Sequence, residues 1–197
     1  MPTITVDIVS QMFPGTGRAA IEANLPSILY AIEAAQLTTL PLMVYTLATI
    51  AAESASFEPV TEMPGPGNTS KGGRPFDLYD ARADLGNHHP GDGARYCGRG
   101  YVQLTGQANY RLYGPLVGQP ELEQNPELAN DPDTAASLLA AYVKHHVVDI
   151  TARLAQAGAD PGAARKPVNG GENGKDRFTH AYQTGMALLS AGAANST

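Results

Sequence analysis

The segment TTLPLMVYTLATIAAE, residues 38–53, is apolar on nearly every face until Glu53 closes it. Thr38 or Thr39 can cap it, and Pro41 suits a first turn, where a missing N–H costs little. The pattern predicts a helix to about Ser56. A helix with no polar stripe must be enclosed by other elements. It cannot cross a bilayer, because a span needs about 20 apolar residues and no such run occurs in the chain.

Segments with helical spacing surround this one. Residues 3–13 suit a short helix or an extended lead-in, and Pro14 to Gly17 break it. Ala19 to Ala35 predict a helix, with Pro26 near its first turn or kinking it. Gln107 to Tyr113 predict a short helix ended by Gly114-Pro115. Residues 120–130 read as turns with room for one helical turn. Asp131-Pro132-Asp133 opens a long helix to Gly158, with Asp131 as cap and Pro132 at its first position. Residues 161–174 read as a loop. Asp176 to Leu189 form the last helix, and GAANST should fray. Between them, residues 58–100 are crowded with proline and glycine. Phe57, Phe76, Leu78, Tyr79, Leu85 and Tyr96 argue that this long loop is ordered and packed, with short strands near 76–80. The fold class expected is mostly α, as one domain over residues 1–197, since no linker is polar enough to divide the chain.

Composition narrows the chemistry. A chain of 197 residues can bury about 70% of its unfolded surface. One cysteine excludes an internal disulfide and a four-cysteine zinc site. A formal net charge of -6 argues against sequence-independent nucleic-acid binding, which needs a basic face. The N-terminus has neither a basic start nor an apolar run, so no secretory signal is expected. His88-His89 and His145-His146 are adjacent pairs; His145 and His146 point in different directions from a helix and cannot chelate as a pair without help from elsewhere, and there is no HExxH. No metal or cofactor is expected.

The chemically suggestive residues are carboxylates and neutral amides. Glu53 ends an apolar helix at the negative end of its dipole, a setting that favours a protonated general acid. Glu62 follows in irregular chain. Two carboxylates flanking a groove, one protonated and one ionised, are the minimum for glycoside hydrolysis. Glu58 lies nearby, Glu62 taken by itself reads as a surface residue, and Asp84 and Asp92 are rivals for the second role, though turns explain aspartates well. In YCGRGYVQLTGQANY, residues 96–110, Gly98 and Gly100 bracket Arg99. If extended, the stretch puts Tyr101, Gln103 and Thr105 on one face and Val102 and Leu104 on the other. Gln103, Thr105 and Asn109 suit sugar hydroxyls and acetamido groups, and serve equally as a network fastening the loop. Asn169, in the glycine-rich VNGGENG at 168–174, can meet a ligand in the same way. Cys97 could suggest a thiol hydrolase, but a lone buried cysteine is commoner. Ser54 lacks a G-x-S-x-G elbow.

Three stretches together resemble glycoside hydrolase family 19, the chitinase-like family, and its endolysin-type branch in particular. They are RADLGNHHPGDGARYCGRGYVQLTGQANYRLYG at 82–114, VNGG at 168–171, and IAAESASFEPVTE at 50–62. The resemblance covers about residues 39–189. It implies a lysozyme-like bilobal helical fold, and metal-free inverting cleavage of β-1,4-linked N-acetylated sugars. It implies Glu53 as acid and Glu62 as the carboxylate that activates water. It implies Gln103, Thr105, Asn109 and Asn169 on the substrate side, and the pattern of residues 96–110 adds Arg99 and Tyr101 as expected substrate contacts. The family commonly has histidine where this chain has Ala52, and Thr-Gly or Ser-Gly where it has Ser54-Ala55. The substrate expected is peptidoglycan, with chitin second and a catalytically weakened glycan-binding protein third. The enzyme is expected to be a monomer without a separate binding module. It would be cytoplasmic at synthesis and reach the wall through a holin or another non-classical release.

Overall fold

The computed structural model describes residues 3–54, 56–156, 160–165 and 174–194. In chain order its elements are α1 (Val6–Met12), α2 (Arg18–Ala34), α3 (Leu40–Glu53), β1 (Val60–Thr61), α4 (Asp92–Arg95), β2 (Arg99–Gly100), α5 (Gln107–Leu116), α6 (Pro132–His145), α7 (Val147–Gln156) and α8 (Lys175–Ala194). Single 3-10 turns lie at Asp77–Tyr79, Ala83–Leu85, Pro126–Asn130 and Pro161–Arg165. The fold is mostly helical, as the apolar periodicity predicts. The chain forms two compact units, residues 1–58 with 139–197, and residues 59–138.

The first unit is built on α3. Every residue from Met43 to Ala52 is buried, and each large apolar side chain so enclosed contributes roughly 1.5–3 kcal/mol. Thr46 and Thr49 lie inside this run, and their hydroxyls donate to the carbonyls of Leu42 and Tyr45, so neither is left unsatisfied. α8 packs along α3 and α1. Gly185 allows the approach, since a Cβ there would lie 2.8 Å from Val44 Cγ1 and 3.0 Å from Met12 Cε. Tyr45 meets Phe178 edge-on at 5.2 Å, and Phe13 meets Phe57 edge-on at 4.8 Å.

The second unit holds the loop-rich stretch. β1 pairs antiparallel with β2, Val60 opposite Gly100 and Thr61 opposite Arg99. Tyr101, Tyr110, Tyr113 and Leu122 fill the core beside this pair. Polar side chains fasten the turns around it. Asp80 accepts from the backbone N–H groups of Gly91 and Gly93, and Asp92 from those of His88 and His89. Asn87 donates to the Tyr79 carbonyl and accepts from the Gln107 N–H. The loop is ordered and packed, as its aromatic residues require.

Several boundaries differ from expectation. α3 stops at Glu53 rather than Ser56. Pro26 lies within α2, well past its first turn. α5 runs through Gly114-Pro115 to Leu116 before Gly118, at φ 76°, turns the chain. The strands lie at 60–61 and 99–100, not near 76–80, where Phe76 at φ 65° leads into a 3-10 turn instead. The long helix after Asp131 breaks at His146, just before the β-branched pair Val147-Val148, which disfavours helix. α8 continues past Leu189 to Ala194.

Candidate active site

Glu53 is the last residue of α3, and its side chain is only 10% exposed. Its Oε1 lies 3.4 Å from Nη2 of Arg165, which is buried in turn and stacks its guanidinium 5.8 Å over the Phe178 ring. The Tyr45 hydroxyl donates to the Ala164 carbonyl at 3.1 Å and so pins the turn that carries Arg165. A second guanidinium closes the helix. Arg177 on α8 donates from Nε to the Ala51 carbonyl and from Nη2 to the Ala52 carbonyl, both at 2.8 Å. These are end-of-helix carbonyls with no intrahelical partner. Gly174, at φ 75°, presses so close that a Cβ there would lie 2.3 Å from the Ala52 oxygen. Tyr142 of α6 also feels Glu53: burial first, then the carboxylate charge, pushes its phenol up. The C-terminal end of α3 is thus held from several sides, with a cation beside the carboxylate.

Glu62 follows β1 and is partly buried. Three donors reach its carboxylate. Asn68 Nδ2 and the Tyr79 hydroxyl donate to Oε1, at 2.8 and 3.0 Å, and the Gly98 N–H donates to Oε2 at 3.1 Å. Gly98 is the meeting point of the site. A Cβ placed on it would lie 2.9 Å from Gln103 Oε1, 3.2 Å from Glu62 Oε2 and 3.2 Å from Thr105 Oγ1. Glu62, Gln103 and Thr105 therefore converge on Gly98. Their donors, however, are turned inward. Gln103 Nε2 donates to the carbonyls of Val60 and Gly100, the Thr105 hydroxyl to the Gln103 carbonyl, and Asn109 Nδ2 to the Thr105 carbonyl.

The other expected residues divide by burial. Residues 99–104 are not extended. Gly100 at φ 75° and Gln103 at φ 51° fold them into a tight turn closed by mutual bonds between Arg99 and Leu104. Tyr101 is consequently fully enclosed and offers no surface to a ligand. Arg99 Nη1 donates to the carbonyls of Arg95 and Cys97 and to the Tyr110 hydroxyl, which makes it a fastener of the turn. Asp84 is exposed in a forked pair with Arg82, which holds its carboxyl below the usual range. Asp92 is occupied by two backbone N–H groups. Burial pushes the Cys97 thiol up, away from the reactive thiolate. Asn169 lies outside the described residues.

Sequence reasoning did not single out Asn68, Tyr79, Arg165 or Arg177. Nothing local marks them. Asn68 sits among glycines and reads as a turn residue, and the two arginines act on carboxylate and carbonyls far away in the chain.

No family model matches this chain. Over 109 residues it is 29% identical to a glycosyl hydrolase family 19 domain-containing protein of Haemophilus influenzae, a match covering 55% of this chain and 50% of that protein. The chain is thus similar, over part of its length, to a glycosyl hydrolase family 19 domain-containing protein. It spans about half the length of that family 19 relative. The fold is found in chitinase C of Streptomyces griseus, with a TM-score of 0.56 and 18% identity, over 95% of this chain and 76% of that one. A chitinase C variant carrying a Glu-to-Gln substitution matches with the same TM-score at 17% identity, again over 95% of this chain and 76% of that one. The mostly helical, lysozyme-like architecture expected from the family 19 motifs is the one observed.

Proposed function

We propose that this chain is an inverting endo-glycosidase that cleaves β-1,4 bonds in the glycan strand of peptidoglycan. Glu53 is the general acid and Glu62 the general base. The observation that carries the reading is the Glu62 site. A carboxylate fixed by three donors keeps an open lone pair on Oε2, beside Gln103 Oε1 and Thr105 Oγ1. These acceptors suit a water held for attack.

In this reading Glu53 first takes up a proton and then gives it to the glycosidic oxygen as the bond to the anomeric carbon breaks. Arg165 then neutralises the carboxylate left behind. Water attacks the opposite face of the sugar, and its proton passes to Glu62. The anomeric configuration inverts because a single displacement occurs.

Chitin is the second reading, favoured by the fold shared with chitinase C. It uses the same two carboxylates, since both polymers offer the same linkage and acetamido groups. The chain acts as a monomer, released to the wall by a holin or by lysis.

The test is incubation with purified peptidoglycan and with chitin oligomers, with products identified by mass and their first-formed anomer read by proton NMR. Release of muropeptide fragments with the α anomer supports the proposal. Oligomer cleavage alone makes the chain a chitinase, a β-anomer product removes the inverting mechanism, and no cleavage of either polymer refutes the glycosidase reading.

A further inference from the structure

The segment MPGPGNTSKGG, residues 63–73, contributes nothing recognisable to the family motifs, yet it supplies a donor to Glu62. Asn68 is buried at 5% exposure. Its Oδ1 accepts from the Gly65 N–H at 2.7 Å and the Thr69 hydroxyl at 2.8 Å. A backbone N–H can only donate, so the amide orientation is fixed and Nδ2 must face Glu62 and the Met63 carbonyl. Tyr79 comes from the other side of the same loop. Its ring stacks on Phe76 at 6.4 Å, which aims the hydroxyl at Oε1.

The two oxygens of Glu62 are therefore unequal. Oε1 accepts two hydrogen bonds, which uses both its in-plane lone pairs, while Oε2 accepts one. We propose that Asn68 and Tyr79 are positioning residues that clamp Oε1 and make Oε2 the oxygen that takes the proton of water. The inference rests on the general-base reading of Glu62 above. In the step itself a water O–H bond breaks, the proton goes to Oε2, and the oxygen's electron pair goes to the anomeric carbon. The titratable groups that feel Glu62 are Tyr79 itself, Cys97 ahead of β2, and Tyr110 on α5. Burial pushes all three up, Tyr79 to about 12, so each is neutral near pH 7.

The test uses the full chain and the variants Tyr79→Phe and Asn68→Ala. The Glu62 carboxyl is followed by carbon-13 NMR against pH, its signal assigned with Glu62→Gln. The acid limb of kcat/KM is measured in parallel. Loss of one donor to the charged form should raise the Glu62 midpoint by about one pH unit and move the acid limb up with it. Tyr79→Phe keeps the ring and its stacking, so it should fold even if Asn68→Ala loosens the loop. An unmoved Glu62 midpoint in Tyr79→Phe overturns the proposal, as does lost activity with an unmoved acid limb. Shifted midpoints in a chain that hydrolyses neither polymer leave the clamp standing and sink the glycosidase reading.

Discussion

The Glu53–Arg165 pair gives the most demanding prediction, because both partners lie inside the protein. At 3.4 Å their attraction is about 5 kcal/mol for an effective dielectric near 20, before the cost of desolvating each charge is subtracted. The net worth of the pair is much smaller than that. The cost of breaking it is not, because the survivor is left charged and unpaired. Removing one partner of such a pair costs about 3–5 kcal/mol. The long contact and the 10% exposure of Glu53 place this pair at the low end, at about 3 kcal/mol. For a chain of this size that is a fall of about 6–12 °C in Tm.

Arg165→Met should show this loss, and pH should modulate it. With the guanidinium gone, burial raises the Glu53 carboxyl above its unfolded value in the variant. The folded variant then holds the proton more tightly than the unfolded chain. Its deficit should be small below about pH 4.3 and grow as the pH rises. Glu53→Gln should also destabilise, by leaving Arg165 with a neutral partner. The double variant should be no less stable than Arg165→Met alone, a coupling of about 2 kcal/mol. Unfolding followed by far-UV circular dichroism suits a protein with no tryptophan. Additivity within about 0.5 kcal/mol, with a deficit that ignores pH, would refute the reasoning.

Four further outcomes are expected. Glu62→Gln should lower kcat by at least about a hundredfold, the lower range for lost general-base catalysis. Asp84→Asn should retain both kcat and stability, because its pairing with Arg82 is exposed; a larger loss at Asp84 would mean that the base is misassigned. Gly98→Ala sets a methyl among Gln103, Glu62 and Thr105, so kcat should fall about tenfold or more for a stability cost of about 1–3 kcal/mol; full activity in that variant would remove the water from this position. Cys97 should resist iodoacetamide near pH 8 until urea unfolds the chain, since burial keeps its thiol protonated; rapid native labelling would contradict this.

How much was legible follows from the range of each interaction. α3 could be read directly, because a run with no polar face has one stable environment, the interior. The caps at Asp131 and the turn chemistry of residues 58–100 are equally local. The break between α6 and α7 was not legible, since the cap, composition and apolar spacing from Pro132 to Gln156 all continue as one helix. No linker marks the boundary between the two units, since Leu138 and Leu139 both lie inside α6. The strands were missed because two residues each carry no alternation. Glu62 could not be separated from Asp84 and Asp92 by spacing. Their partners separate them: Arg82 for one, backbone N–H groups for another, and for Glu62 a buried amide and a phenol.

The sequence raised two readings for Gln103, Thr105 and Asn109, a loop-fastening network and a sugar-binding face. The hydrogen bonds show the first. Their donors are committed to the carbonyls of Val60, Gly100, Gln103 and Thr105, which holds the β1–β2 turn in shape. That commitment leaves acceptors facing Gly98: Gln103 Oε1, Thr105 Oγ1 and Glu62 Oε2. Burying or crowding an acceptor without a donor costs free energy, so a ligand seated here must bring hydrogens. Sugar hydroxyls, acetamido N–H groups and water all do so, whereas a phosphate or a carboxylate would bring only lone pairs and charge of the wrong sign. If Glu62 is the base proposed above, the network that fastens the loop would also favour a neutral, hydrogen-donating ligand at its Oε2.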